Sequence, residues 1–95
     1  MLDNLFNLLF TKRNIGDSLK VISYTAEWCP WCHKVKDFLE ANKIKFEDRD
    51  IEKVKGAAEE AFEKSGQAGI PVTDIDGDIV IGYDVPTLKK LLKLK

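Results

Sequence analysis

Between Lys20 and Asp50 an extended run, an amphipathic helical run and a second extended run follow in order, and this βαβ succession constrains the fold more than any other feature. Lys20-Val-Ile-Ser-Tyr-Thr25 is β-branched and aromatic and reads as a strand. From Pro30 to Asn42 the period changes: Val35, Phe38 and Leu39 recur at i, i+3 and i+4, with Lys34, Lys36, Asp37 and Glu40 on the other faces. Pro30 fits the first turn of that helix, where its missing N–H is not needed. Ile44 to Asp50 alternates apolar and polar residues and reads as the second strand. Such a unit demands a parallel strand pair joined by a right-handed crossover.

The rest of the chain completes a sheet. Glu52 to Lys64 is rich in good helix formers, with Val54, Ala57, Ala58, Ala61 and Phe62 as the expected inner face and Gly66 as the stop. Ile70 to Ile75 and Asp78 to Ile81 flank Asp76-Gly77, a dipeptide that favours a type I′ hairpin turn. Val85 to Leu94 opens with Pro86 in a first-turn position and ends among Lys89, Lys90, Lys93 and Lys95, which suit the negative end of a helix and read as a solvated surface. The expected fold class is α/β: a mixed four-stranded sheet with helices on both faces in one domain spanning 1–95. Residues 1–18 form a helical extension to it, because Leu2, Leu5, Phe6 and Leu9 share one helical face. That helix is expected to dock on its own domain.

Net charge -1 leaves no electrostatic source for nucleic-acid binding, and no run approaches the ~20 apolar residues of a membrane span. The apolar start is not built as a signal peptide, since Asp3 precedes the apolar residues and Lys12-Arg13 follow them. A cytoplasmic protein is therefore expected.

Chemistry concentrates at Cys29-Pro30-Trp31-Cys32, which contains both cysteines of the chain. The motif falls at the junction of the first strand and its crossover helix, with Cys29 ahead of the helix and Cys32 in its first turn. Unpaired N–H groups and the positive dipole end of a helix stabilise a thiolate, and thiols in such sites titrate roughly between 3.5 and 7.5. Cys29 is the expected nucleophile, and Cys32, deeper in the helix, the expected resolving thiol. His33, Lys34 and Lys36 add positive charge nearby. Other uses of the pair fit less well. A structural zinc site wants four ligands, and the chain offers two cysteines and His33, whose adjacency to Cys32 makes common coordination awkward. Cys29-X-X-Cys32-His33 also has the spacing of c-type haem attachment, but an export signal and a methionine beyond Met1 are missing. A purely structural disulfide is disfavoured in a reducing compartment.

The stretch from Val21 to Leu92 resembles the glutaredoxins of the thioredoxin superfamily, including small glutaredoxin-like redoxins. Three motifs carry the likeness: Trp28-Cys-Pro-Trp-Cys32, Gly69-Ile-Pro-Val72, and Ile81-Gly-Tyr-Asp84 after the hairpin. The resemblance implies a thioredoxin-like fold, a cis Ile70–Pro71 bond facing Cys29, and an Ile70 backbone that pairs with a bound thiol peptide like an added strand. It also implies Gly82, Tyr83 and Asp84 as substrate-binding residues, with Trp28, Pro30, Trp31 and Pro71 supporting the active site. Trp28 is expected to pack in the core and Trp31 to dock partners, with Tyr83 a weaker member of the same rim.

Glutathione-using members of the family carry a lysine three residues before the first cysteine, an Arg–Thr pair before the Val-Pro and a Gly-Gly-X-Asp turn. The corresponding residues here are Ala26, Ala68, Gly69 and Gly82-Tyr83-Asp84, so most of the basic clamp is missing. Ala26-Glu27-Trp28 resembles the thioredoxin lead-in, yet Ser23 stands where thioredoxins bury a carboxylate. The Ser-Gly-Phe-type C-terminal signature of ribonucleotide-reductase redoxins is absent, and that partner is not assigned.

The function expected is thiol–disulfide oxidoreduction of protein or glutathione mixed disulfides by Cys29 and Cys32, in a monomer with no bound prosthetic group and no metal. Glutathione or a thioredoxin reductase would supply electrons. The alternatives are a glutathione-dependent iron–sulfur cluster carrier, against which Cys32 and Pro30 speak, and an interaction domain that merely keeps the fold.

Overall fold

The computed structural model describes residues 19–94. The helix expected over Leu2 to Leu9 lies outside the described residues. The elements run β1 (Val21–Thr25), α1 (Pro30–Ala41), β2 (Glu47–Asp50), α2 (Ala57–Ser65), β3 (Val72–Ile75), β4 (Asp78–Ile81) and α3 (Val85–Leu92). They build one four-stranded sheet in the order β2-β1-β3-β4. β1 and β2 are parallel, with Ser23 opposite Asp48, and β1 and β4 both pair antiparallel with β3. The mixed sheet read from the βαβ unit and the hairpin is therefore the one observed.

Alternation along β1 sorts the core into two layers. Val21 faces α1 and α3, joining Val35, Leu39, Leu88, Leu92, Ile75 and Val80 in the larger apolar cluster. Tyr24 faces α2 and packs with Ala57, Ala61 and Val72. Full burial of each such aliphatic side chain is worth roughly 1.5–3 kcal/mol, which holds the helices to the sheet. The α1 face also carries polar residues: Ser23, Thr25 and Thr73 are all completely buried, with the Ser23 and Thr73 hydroxyls 3.4 Å apart.

Two expectations about α2 need correction. The helix begins at Ala57 rather than Glu52, because Gly56 sits at its N-terminus with φ +84, a left-handed conformation that breaks the helical run. The preceding residues form a turn in which the Glu52 amide donates to the Asp50 carboxylate at 2.8 Å. With the start displaced, Ala57 and Ala61 are buried and Val54 packs beside them, but Ala58 and Phe62 face solvent. The Asp76-Gly77 turn has positive φ at both residues, as a type I′ turn requires. Among the described residues no helix is long and apolar enough to cross a membrane.

Candidate active site

The end of β1 delivers the chain into the start of α1, and both cysteines lie at that junction. Cys29 is the N-cap of α1, and its backbone is extended at φ -97, ψ 108. The Cys32 amide donates to Cys29 Sγ at 3.1 Å, so the sulfur takes one of the N–H groups that a helix start leaves unpaired. Pro30 occupies the first turn, as its φ and lack of an N–H favour. Both thiols are free and buried, Cys29 at 4% exposure and Cys32 at 0%. Burial, reinforced by the neighbouring Cys29, pushes the Cys32 thiol up to about 12, while a hydrogen bond from the Ala26 backbone and, after it, the charge of Lys36 pull the other way.

Opposite the cysteines, the Ile70–Pro71 bond is cis, as the family resemblance implied. Ile70 packs against the apolar shell of Ala26, Cys29 and Cys32. Ile70 and Pro71 also line a groove of about 310 Å³ with Trp31, Gly82 and Tyr83. The Gly82 amide donates to the Pro71 carbonyl at 2.9 Å, tying the end of the hairpin to the proline loop. Trp31 and Tyr83 face each other with ring centroids 6.1 Å apart, and Lys34 Nζ lies 5.7 Å from the centre of the Trp31 ring. Five of the residues expected at the site thus converge on one groove beside the dithiol.

Trp28 and Asp84 do not join them. Trp28 was expected in the core but is 63% exposed, and its indole N–H donates to Glu52 at 2.8 Å. The β1–α1 turn points it outward, and the apolar space nearby is filled by Ala26, Ile51 and Ile70. Asp84 is the N-cap of α3: its carboxylate accepts from the Thr87 amide at 3.3 Å and from the Thr87 hydroxyl at 2.8 Å.

The charges around the dithiol are already engaged. His33 Nε2 lies 2.7 Å from the Glu27 carbonyl, which accepts its proton. Lys36 donates to Asp48 at 3.0 Å, and Asp48 also accepts the Thr25 hydroxyl. Gly69 has both backbone groups held by the Gln67 side-chain amide, at 2.7 and 2.9 Å. Asp48, Thr25 and Glu52 were not singled out from the sequence. Asp48 was visible only as a polar residue on an alternating strand, and its reach to Lys36 depends on β2 lying beside β1 under α1.

Fold and site together define a class: a thioredoxin-like α/β protein with a dithiol capping the helix that follows its first strand. A model of the glutaredoxin family matches residues 8–80. The chain is 36% identical over 70 residues to an uncharacterized glutaredoxin-like 8.6 kDa protein of the rubredoxin operon of Clostridium pasteurianum, covering 74% of this chain and 93% of that protein. It is 33% identical over 61 residues to glutaredoxin 3 of Escherichia coli strain K12, covering 64% and 74% of the two chains. The crystal structure of a glutaredoxin from Archaeoglobus fulgidus superposes with a TM-score of 0.73 at 27% identity, covering 85% of this chain and 96% of that one. The chain belongs to the glutaredoxin family, whose general activity is thiol–disulfide oxidoreduction.

Proposed function

We propose that this protein reduces protein disulfides by a dithiol mechanism in which Cys29 attacks and Cys32 resolves. Cys29 thiolate displaces one sulfur of the substrate disulfide, which leaves as a thiol, and a mixed disulfide forms. Cys32 then attacks Cys29 Sγ, the second substrate sulfur leaves, and the protein is left oxidised. The observation that carries the reading is the contact from the Cys32 amide to Cys29 Sγ at 3.1 Å. It puts the first sulfur at the positive end of α1 and the second one helical turn inside it.

The groove supports a polypeptide substrate. Trp31, Ile70, Pro71, Gly82 and Tyr83 offer aromatic and apolar surface with no charged side chain among them. The places from which family members grip the carboxylates of glutathione hold a buried Ala26, an exposed Ala68 and Gly69. A thioredoxin reductase, rather than glutathione, is the electron donor this arrangement favours.

The test follows NADPH consumption by the oxidised protein with one electron source at a time, either glutathione with glutathione reductase or a thioredoxin reductase. Turnover with the reductase and little with glutathione is the expected result. Rapid recycling by glutathione would overturn the donor assignment while leaving the oxidoreductase standing. Failure of both to reduce the Cys29–Cys32 disulfide would overturn the dithiol reading.

A further inference from the structure

The second step of the proposed reaction asks a sulfur with no access to water to become a nucleophile. Cys32 is completely buried, and its thiol is held protonated by that burial. Only the thiolate attacks a disulfide, so resolution at neutral pH requires a local feature that favours the anion. Lys36 follows Cys32 by four residues on α1, a spacing that stacks two side chains on one helical stripe, and its charge acts on Cys32 in that direction.

Lys36 is not a loose surface lysine. Its side chain is 19% exposed, and its ammonium donates to one Asp48 carboxylate oxygen at 3.0 Å. The other Asp48 oxygen accepts the hydroxyl of Thr25, which is completely buried at the end of β1. Three elements thus fix one ammonium group: α1 supplies it, β2 its counter-ion and β1 the group that orients the counter-ion. The Ala26 backbone also favours the Cys32 anion, through a hydrogen bond from a fixed neutral dipole, and the other surroundings are apolar or already committed. Ala26, Ile51 and Ile70 pack around the cysteines, His33 is turned to the Glu27 carbonyl, and Lys34 lies over Trp31.

We propose that Lys36, held in place by Asp48 and Thr25, is the charge that lets the buried Cys32 act as resolving nucleophile. The inference rests on the dithiol reading above. In the step it serves, the Cys29–Cys32 bond forms as the bond from Cys29 to the substrate sulfur breaks. Cys32 gives up one proton, the departing substrate thiolate gains one, and Lys36 remains an ammonium throughout. Asp48 and Thr25 are positioning residues, and the same arrangement keeps Lys36 from gripping a free carboxylate.

The step is isolated by mixing the reduced protein with an aromatic disulfide that releases coloured thionitrobenzoate. A first equivalent leaves when Cys29 attacks and a second when Cys32 resolves. Lys36→Met is expected to slow the second release about tenfold at neutral pH and to move its pH profile up by about one unit, the shift that corresponds to a tenfold change in thiolate population. The first release is expected to stay within about twofold, and Lys36→Arg, which keeps the charge, to restore most of the second. Lys36→Gln repeats the test should the methionine variant fold poorly. A second release unchanged in rate and pH profile would overturn the proposal, as would equal slowing of both phases. If the unaltered protein gave no second release, the dithiol reading itself would fall.

Discussion

The two cysteines occupy adjacent turns of chain but very different settings, one capping the helix and the other sealed within it. Cys29→Ser is therefore expected to abolish disulfide reduction, whereas Cys32→Ser should accumulate a covalent complex with substrate, visible as a mass increase that dithiothreitol removes. Full turnover of a protein disulfide by the Cys32→Ser protein would refute the division of labour. Trp31, 56% exposed beside the groove, has the character of an interface anchor. Trp31→Ala is expected to raise KM for a protein disulfide about tenfold, a loss of roughly 1.4 kcal/mol, with little effect on the first release of thionitrobenzoate. At this scale the cysteines, Pro71 and the rim of Trp31 and Tyr83 were legible in the sequence because their chemistry is local or motif-bound. The outward turn of Trp28 was not, because a tryptophan beside a strand end is equally suited to core and surface until the space is filled by Ala26, Ile51 and Ile70.

Among the elements, the sequence reading succeeded where a single residue type dictates backbone geometry. Pro30 and Pro86 mark helix starts, Gly66 marks the end of α2 at φ +74, and Asp76-Gly77 makes the hairpin. It failed at the start of α2, where Glu52, Lys53 and Lys55 before Gly56 have helical propensity but the Asp50 side chain holds this stretch in a turn. Because Gly56 has φ +84 and a Cβ there would meet nothing within 4 Å, Gly56→Ala should cost backbone energy alone. A loss of about 1 kcal/mol in urea denaturation is expected, with unchanged activity. No loss of stability would mean that the turn before α2 readily adopts another form. β2 is an edge strand made of Glu47, Asp48, Arg49 and Asp50, and a charged edge of this kind discourages pairing with another chain.

For the whole molecule, burial of Cys32 ties stability to pH and to redox state. Its thiol is raised from an ordinary 9.0 to about 12 in the folded chain, so above pH 9 the unfolded chain loses a proton that the folded one keeps. The contribution of this thiol is thus fully present below pH 9 and declines as pH rises towards 12, by at most about 1.4 kcal/mol per pH unit. Lys64, raised by Asp74 and the Tyr24 hydroxyl despite its partial burial, acts in the same sense but is common to every redox form. Reduced protein is expected to lose stability more steeply than Cys32→Ser in this alkaline range; parallel denaturation curves would refute it. The capping role of Cys29 carries a further consequence at this scale. While its sulfur is bonded to a substrate it is uncharged, a weaker acceptor for the Cys32 amide, and the opening turn of α1 is left with a donor wanting a partner. Substrate capture thus weakens a contact in the opening turn of α1, and deuterium uptake at the Cys32 amide is expected to report the covalent state of Cys29.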